Sequence, residues 1–415
     1  MLSQHSIRSG LLFLVAWCNV SHAATLTVGK SNALCPSAKY DTIGAAVTAA
    51  APGDEIDICP ALYPEQVVIS KPVTLRGLGA NGTQRVLLQP SAMTNAGNLP
   101  SQAVISVVNT VDVTIEGLAI DAGNNTVSGC TVSLAGIHFS NSSGKVASNA
   151  IFGAQLKDPQ SCTTLFPGNG FGVQVDTTSG QTGPFSVSID RNSIHDFNRN
   201  AILAVGSGVT AEIRGNTISG VGPSTGYNQF GVFIANGAVG RITGNMISQG
   251  NCGNLASRDC INLRSEGVVL RAAGDGSVVD SNFISTVQSG IFLNGANNAQ
   301  ITNNVIMNVD ALDGIDIQGS ASGFFTNSVI AGNSISHVGA VNADASNNET
   351  GCGINEASGT GVAQNIILNN NVNDAYCGVA SVGADQVFSG VYLNTLYATL
   401  NADLYPNTYP PAAEP

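Results

Sequence analysis

The chain has 415 residues, a formal net charge of −12, 43% apolar residues and only 10% charged ones. That balance excludes a disordered polyelectrolyte, which lacks the apolar surface to form a core. None of its five Lys lies beyond Lys157, which argues against nucleic acid or an anionic membrane surface as a partner.

In chain order, Arg8 precedes an apolar run from Leu11 to Trp17, and Ser21-His22-Ala23-Ala24 comes next. A positive start, a short apolar stretch and a small-residue cleavage point describe a secretory signal peptide over residues 1–23. The run is too short to span a bilayer, and no later segment has the uninterrupted apolar length to do so. The expected product is an exported chain, secreted or periplasmic, without a membrane span. Of nine cysteines, Cys18 lies in the leader. The other eight are Cys35, Cys59, Cys130, Cys162, Cys252, Cys260, Cys352 and Cys377. An even number in an exported chain favours disulfides, and pairing between sequence neighbours would close local loops. No CxxC or compact Cys/His cluster is present, so no metal is expected from these residues.

The mature chain opens with Asp41–Ala51, an amphipathic stretch with an N-cap, closed by Pro52-Gly53. It reads as a capping helix over 41–51, covering the open end of a repetitive body that spans 24–398. In that body a Gly or Ala before a β-branched residue recurs at Gly136-Ile137, Gly172-Val173, Ala201-Ile202, Gly231-Val232, Gly267-Val268, Gly290-Ile291, Gly314-Ile315, Gly353-Ile354 and Gly378-Val379. Between these come Asn-x-Ile segments beginning at Asn149, Asn192, Asn216, Asn245, Asn282, Asn304 and Asn333. The shortest units span 22 to 24 residues, room for three short strands and turns. Fixed-period self-similarity of this kind means a solenoid, in which each coil buries its face on its neighbours. The recurrent Asn suits a stacked amide ladder with a rung about every 4.8 Å. A Pro-rich tail, 399–415, ends the chain.

The stretch Thr42–Gly77, with Asn-x-Ile coils after it, resembles the pectin-lyase-like superfamily of right-handed parallel β-helices. The resemblance implies an all-β, single-stranded right-handed parallel β-helix. It also implies action on, or binding to, polysaccharide. The superfamily holds lyases, hydrolases, methylesterases, epimerases and non-enzymatic members, and no subfamily's motifs fit. Leu62-Tyr63-Pro64-Glu65-Gln66 is similar to the opening of a pectin methylesterase, but Asn149-Ala150 stands before Ile151-Phe152-Gly153, where that family needs an Asp. The motifs of polygalacturonase-like hydrolases are missing. A pectate-lyase mechanism would need Ca²⁺ and a base drawn from Arg264 or Arg271.

In the unit Gly-Ile-x-Φ-x the residues marked x point outward. The first outward column then reads His138, Gln174, Leu203, Phe233, Val269, Phe292, Asp316, Asn355 and Ala380. The second includes Asp176, Val205, Ala235, Arg271, Asn294 and Gln318. Asp316 with Arg271, Asn294 and Gln318 forms one candidate site. Glu266 and Asp313, both preceding a coil Gly, lie two coils or about 10 Å apart. That is near the upper limit for the carboxyl pair of an inverting hydrolase. Asp313 and Asp316, three apart, both face outward only if the chain turns at Gly314. His138 and His195 read as surface residues. Leu203, Phe233, Val269 and Phe292 should form an apolar outward stripe about 15 Å long, covered by the chain's own loops or tail, or open to a sugar ring or another subunit. Two functions remain open: hydrolysis of a weakly charged glycan, preferred over Ca²⁺-dependent lyase action because the chain is acidic, or a non-catalytic carbohydrate-binding or envelope scaffold. No cofactor is expected for hydrolysis.

Overall fold

The structure, a computed structural model, describes residues 23–29, 35–79, 85–95, 101–127, 132–157, 169–178, 181, 183–222, 228–250, 265–319, 327–339, 351–358, 365–383, 390–392 and 394–397. Residues 1–22 of the expected leader, the tail, Cys130, Cys162, Cys252, Cys260 and Arg264 lie outside them.

Strands of three to eight residues wind through three parallel sheets in strict rotation. A first sheet of 13 strands begins at Thr25–Val28, a second of 12 at Ala61–Tyr63, and a third of 11 at Val67–Ile69. Every described pairing is parallel, and each strand pairs with its counterpart one coil away. This is the expected solenoid, with one addition: Thr25–Val28 pairs with Glu55–Ile58 ahead of the helix. The stretch 41–51 supplies a helix at Ile43–Ala49, with Thr42 as N-cap. The Thr42 Oγ1 accepts from Ala45 N at 3.2 Å, and the Glu65 carboxylate accepts from Ile43 N and Gly44 N at 2.8 and 2.9 Å. Ile43, Ala46 and Val47 are buried against the first coils.

Between the first and second sheets runs the amide ladder. Asn149, Asn192, Asn216, Asn245, Asn282, Asn304, Asn333, Asn370 and Asn394 stack in turn. Each side-chain oxygen after Asn149 accepts from the amide and the backbone N–H of the rung before, as Asn245 Oδ1 does from Asn216 at 2.9 Å twice. Each amide also donates to a strand-end carbonyl, such as Ile213 O from Asn245 at 3.0 Å. These groups are buried, so satisfying them is what permits a polar residue there.

The Gly column has a steric cause. A Cβ on Gly267 would stand 2.5 Å from the Ile284 side chain and 2.7 Å from Gly290 O. A Cβ on Gly314 would meet Ile335 at 2.5 Å and Gly353 O at 2.6 Å. The chain folds tightly there, so the residues on both sides of the corner face outward while the Gly and the next residue face the core.

Candidate functional site

The outer face of the third sheet gathers the polar and aromatic residues that the solenoid does not need for its core. The pairing runs His138–Gln174–Leu203–Phe233–Val269–Phe292–Asp316–Asn355–Ala380 down one column. A second reads Asp176–Val205–Ala235–Arg271–Asn294–Gln318. Because of the Gly corner, a third outward column precedes it: Ala103, Ala135, Phe171, Asn200, Phe230, Glu266 and Ser289. Asp313 continues this column, its carbonyl accepting from Ser289 Oγ at 3.2 Å.

At the C-terminal end, two carboxyl groups meet. Asp313 and Asp316 are 3% and 4% exposed. Asp313 Oδ1 accepts from the N–H groups of Gly351 and Cys352 at 3.0 and 2.9 Å, and its Oδ2 from Asn355 Nδ2 at 3.0 Å. Asp316 Oδ2 accepts from Gln318 Nε2 at 3.0 Å. Burial, followed by the Asp316 charge, pushes the Asp313 carboxyl well above the usual carboxylate range, and the three donors oppose this without reversing it. The two carboxyls therefore titrate as a pair that retains a proton near neutrality.

Next along the face comes an aromatic stretch. Phe230, Val269 and Phe292 pack together with Phe233 outside the main core. Phe230 and Phe233 meet edge to face with centroids 5.2 Å apart. The expected stripe thus faces outward, yet Val269 and Phe292 are only 1% and 9% exposed. The buried Arg199 guanidinium lies 4.8 Å over the Phe230 ring. Desolvation pushes it down to about 10, opposed by the attraction of Glu266 and aided by Arg271. Glu266 is buried, two rungs from Asp313 through Ser289; Arg271 is exposed and Asn294 half-buried.

At the N-terminal end stands a second polar centre. His138 is fully buried, correcting its reading as a surface residue. Its Nε2 meets Asp176 Oδ2 at 2.9 Å, and its Nδ1 meets the buried Ser101 hydroxyl. Gln174 Nε2 also donates to Asp176 Oδ2, at 2.6 Å. Despite the cost of burial, the hydrogen bond and charge of His138 and the Gln174 hydrogen bond hold the Asp176 carboxyl below the usual range. A nucleophilic serine would need the opposite layout, with Ser open and Asp enclosed. Here the Asp176 side chain keeps 22% exposure, so the relay presents a fixed carboxylate. The outward pattern of Gly-Ile-His missed this because a column position says nothing about what lies over it. His195 does lie at the surface, 41% exposed, stacked on Phe152.

Asn355, Phe230 and Arg199 were not singled out as site residues. Asn355 and Phe230 follow from the column rule once the corner is known; Arg199 carries no signal in the repeat. Among the described residues, no group of three His, Cys, Asp or Glu could hold a metal ion, and no helix is long and apolar enough to cross a membrane.

A family model for a right handed beta helix region matches residues 171–372. No curated protein sequence matches the chain. Similar solved structures include the Azotobacter vinelandii mannuronan C-5 epimerase AlgE6 A-module, at 13% identity and TM-score 0.43 over 85% of this chain and 94% of that one. The DFA-IIIase from Arthrobacter chlorophenolicus A6 aligns at 12% identity and TM-score 0.49 over 92% of each chain. A GH136 lacto-N-biosidase from Eubacterium ramulus aligns at 10% and 0.42 over 92% of this chain and 67% of that one. Three parallel sheets in rotation and the repeat recognised across 171–372 make this chain a right-handed parallel β-helix.

Proposed function

We propose that the protein is an exported glycan-active β-helix that hydrolyses a weakly charged polysaccharide laid along the outer face of the third sheet. The observation that carries this reading is the buried Asp313–Asp316 pair beside Phe292. A pair that retains a proton supplies a general acid for the leaving glycosidic oxygen, with Asp313 as donor. Glu266, in attraction with Arg199, is the carboxylate proposed to activate water, at about 10 Å, two coils away. Asp316 keeps the proton on the pair by repulsion. Phe233 and Phe292 offer apolar faces for sugar rings, and Arg271, Asn294 and Gln318 offer hydrogen bonds at the rim. A polyuronate would meet Asp176, Asp313, Asp316 and Glu266 on the same face, which disfavours it without a bridging cation. The disulfides Cys35–Cys59 and Cys352–Cys377 support export to an oxidising compartment.

The test is a screen of neutral and acidic glycans, with and without Ca²⁺, following new reducing ends and the ultraviolet absorbance of unsaturated products. Reducing ends without absorbance, lost in Asp313→Asn, support hydrolysis. Absorbance that depends on Ca²⁺ replaces this reading with a lyase. Binding without cleavage of any glycan leaves the scaffold reading in its place.

A further inference from the structure

The Asp313 carboxyl is held by a peptide that is itself tied down. Gly351 N and Cys352 N both donate to its Oδ1, at 3.0 and 2.9 Å. Cys352 O accepts from Gly314 N at 2.9 Å, so the same residue grips Asp313's neighbour from the other side. Cys352 is bonded to Cys377, its register partner on the next coil, and both are buried. The Gly351 carbonyl accepts from Tyr376 N at 2.9 Å, and Gly351 stands at φ 93°, a conformation that a non-glycine residue rarely adopts. The Cys352–Cys377 cluster with Ala380 and Tyr376 packs apart from the main core, directly after the acid pair along the face.

We propose that Cys352 and Cys377 are positioning residues for the acid pair: their disulfide fixes the Gly351–Cys352 peptide whose two N–H groups hold the Asp313 carboxyl. This rests on the reading of Asp313 as the acid, but its physical core does not need activity to be tested. A carboxylate that accepts two backbone N–H bonds gains stability in its ionised form. Releasing that peptide removes those donors and leaves Asn355 alone to oppose burial and Asp316, so the carboxyl should hold its proton to higher pH. Ser289, Gly290, Gly351, Cys352 and Asn355 hydrogen-bond to Asp313, and none of them carries a charge near neutrality; Asp316 is the acidic neighbour three residues on. Glu356, on the strand packed against it, occupies a core-facing position.

The experiment compares Cys352→Ser/Cys377→Ser with Cys35→Ser/Cys59→Ser, which removes the other described disulfide at the far end of the solenoid. The protonated Asp313 carboxyl is followed by infrared difference spectroscopy against Asp313→Asn across pH. The expected result is a titration midpoint higher by at least about 1 unit in the first variant and unchanged in the second, on the scale of one lost hydrogen bond to a charged group. Equal midpoints in both variants overturn the proposal and leave the disulfide as a staple only. If Cys352→Ser/Cys377→Ser fails to fold, Gly351→Ala serves instead: it strains the same peptide with the disulfide intact, and an unmoved midpoint overturns the proposal there too. Where a glycan substrate is in hand, the alkaline limb of kcat should shift with the midpoint while KM stays within about twofold. A moved midpoint with no glycanase activity would sink the hydrolase reading and leave the positioning role standing.

Discussion

The two ends of one sheet face treat the same functional group in opposite ways. Asp176 and Asp313 both sit at outward positions of the third sheet, and burial acts against ionisation at both. Asp176 has a histidine, an amide and a hydroxyl around it and no acidic neighbour among the causes acting on it, so its charge is kept. Asp313 has three donors of its own, but Asp316 stands beside it and its burial is deeper, so its proton is kept. Hydrogen-bond count alone does not separate them; a like charge and the depth of desolvation do. In the proposed function the carboxyl whose proton is kept, at the C-terminal coils, is the acid.

The largest expected effect breaks that contrast at its source. Asp313→Asn and Asp316→Asn should each lower the glycan hydrolysis rate by at least about 100-fold, the lower range for removing a general acid. Asp176→Asn, at the other end, should change it far less. Steady-state rates on the glycan that the wild-type protein cleaves decide this. Equal losses at both ends would show that the face works as one site, while an active Asp316→Asn enzyme would remove that residue and leave Glu266 and Asp313 to carry the chemistry.

A second effect tests the scaffold common to both ends. Asn245→Ala removes a rung whose oxygen serves Asn216 twice and whose amide reaches Ile213 O and Asn282. Buried donors on Asn216 are then left without an acceptor, which costs about 2–3 kcal/mol in chemical denaturation. A loss under about 1 kcal/mol would mean that water replaces the rung.

The scaffold was legible because it is periodic. Gly267 and Gly314 recur because two side chains compete for one space, and Asn245 because each rung needs the next; such constraints write themselves into sequence at fixed spacing. The outward columns followed from strand parity, down to Phe292 beside Asp316. The site was legible only in part. Parity alone set Asp313 against Asp316, and the Gly corner resolves this by turning both outward. His138 was misjudged because its burial depends on partners from the coils on either side, Ser101 and Asp176, which parity within one coil does not show. Asn355 stood in the correct column, but its bond to Asp313 depends on two coils at once.

A third effect uses pH to sharpen the contrast. An unfolded Asp titrates near about 3.9. Asp313 titrates above that value when folded, so between the two values the native state holds the extra proton and stability falls as pH rises. Asp176 titrates below it when folded, so its contribution is present above the unfolded value and is lost as pH falls through the folded one. Denaturation midpoints across pH should therefore lose height on both sides. Asp316→Asn should flatten the fall between about 3.9 and about 8 alone, and His138→Gln should alter the acid side below it. No fall between about 3.9 and about 8 in the wild-type protein would contradict the raised Asp313.

The smallest effect separates the two arginines of the aromatic stretch between these ends. Arg199 is buried over Phe230 with Glu266 in attraction, so Arg199→Ala removes packing and leaves a buried carboxylate without that cation. Arg271 occupies the rim column in register with Asn294, and its side chain is exposed to solvent. Charges there are screened and their side chains lose entropy when held, so Arg271→Ala should change stability by no more than about 0.5 kcal/mol. Its removal also takes away a charge that disfavours ionised Arg199, a small gain that offsets part of any loss. On glycan binding the loss should be a few-fold, because a rim hydrogen bond in water contributes little beyond about 1 kcal/mol. Denaturation and glycan affinity measured on the same variant check both halves. A stability loss above about 1 kcal/mol, twice the about 0.5 kcal/mol of an ordinary surface substitution, would show Arg271 pinned into the face like Arg199, and the aromatic stretch would then be a closed structural cover rather than an open platform for sugar.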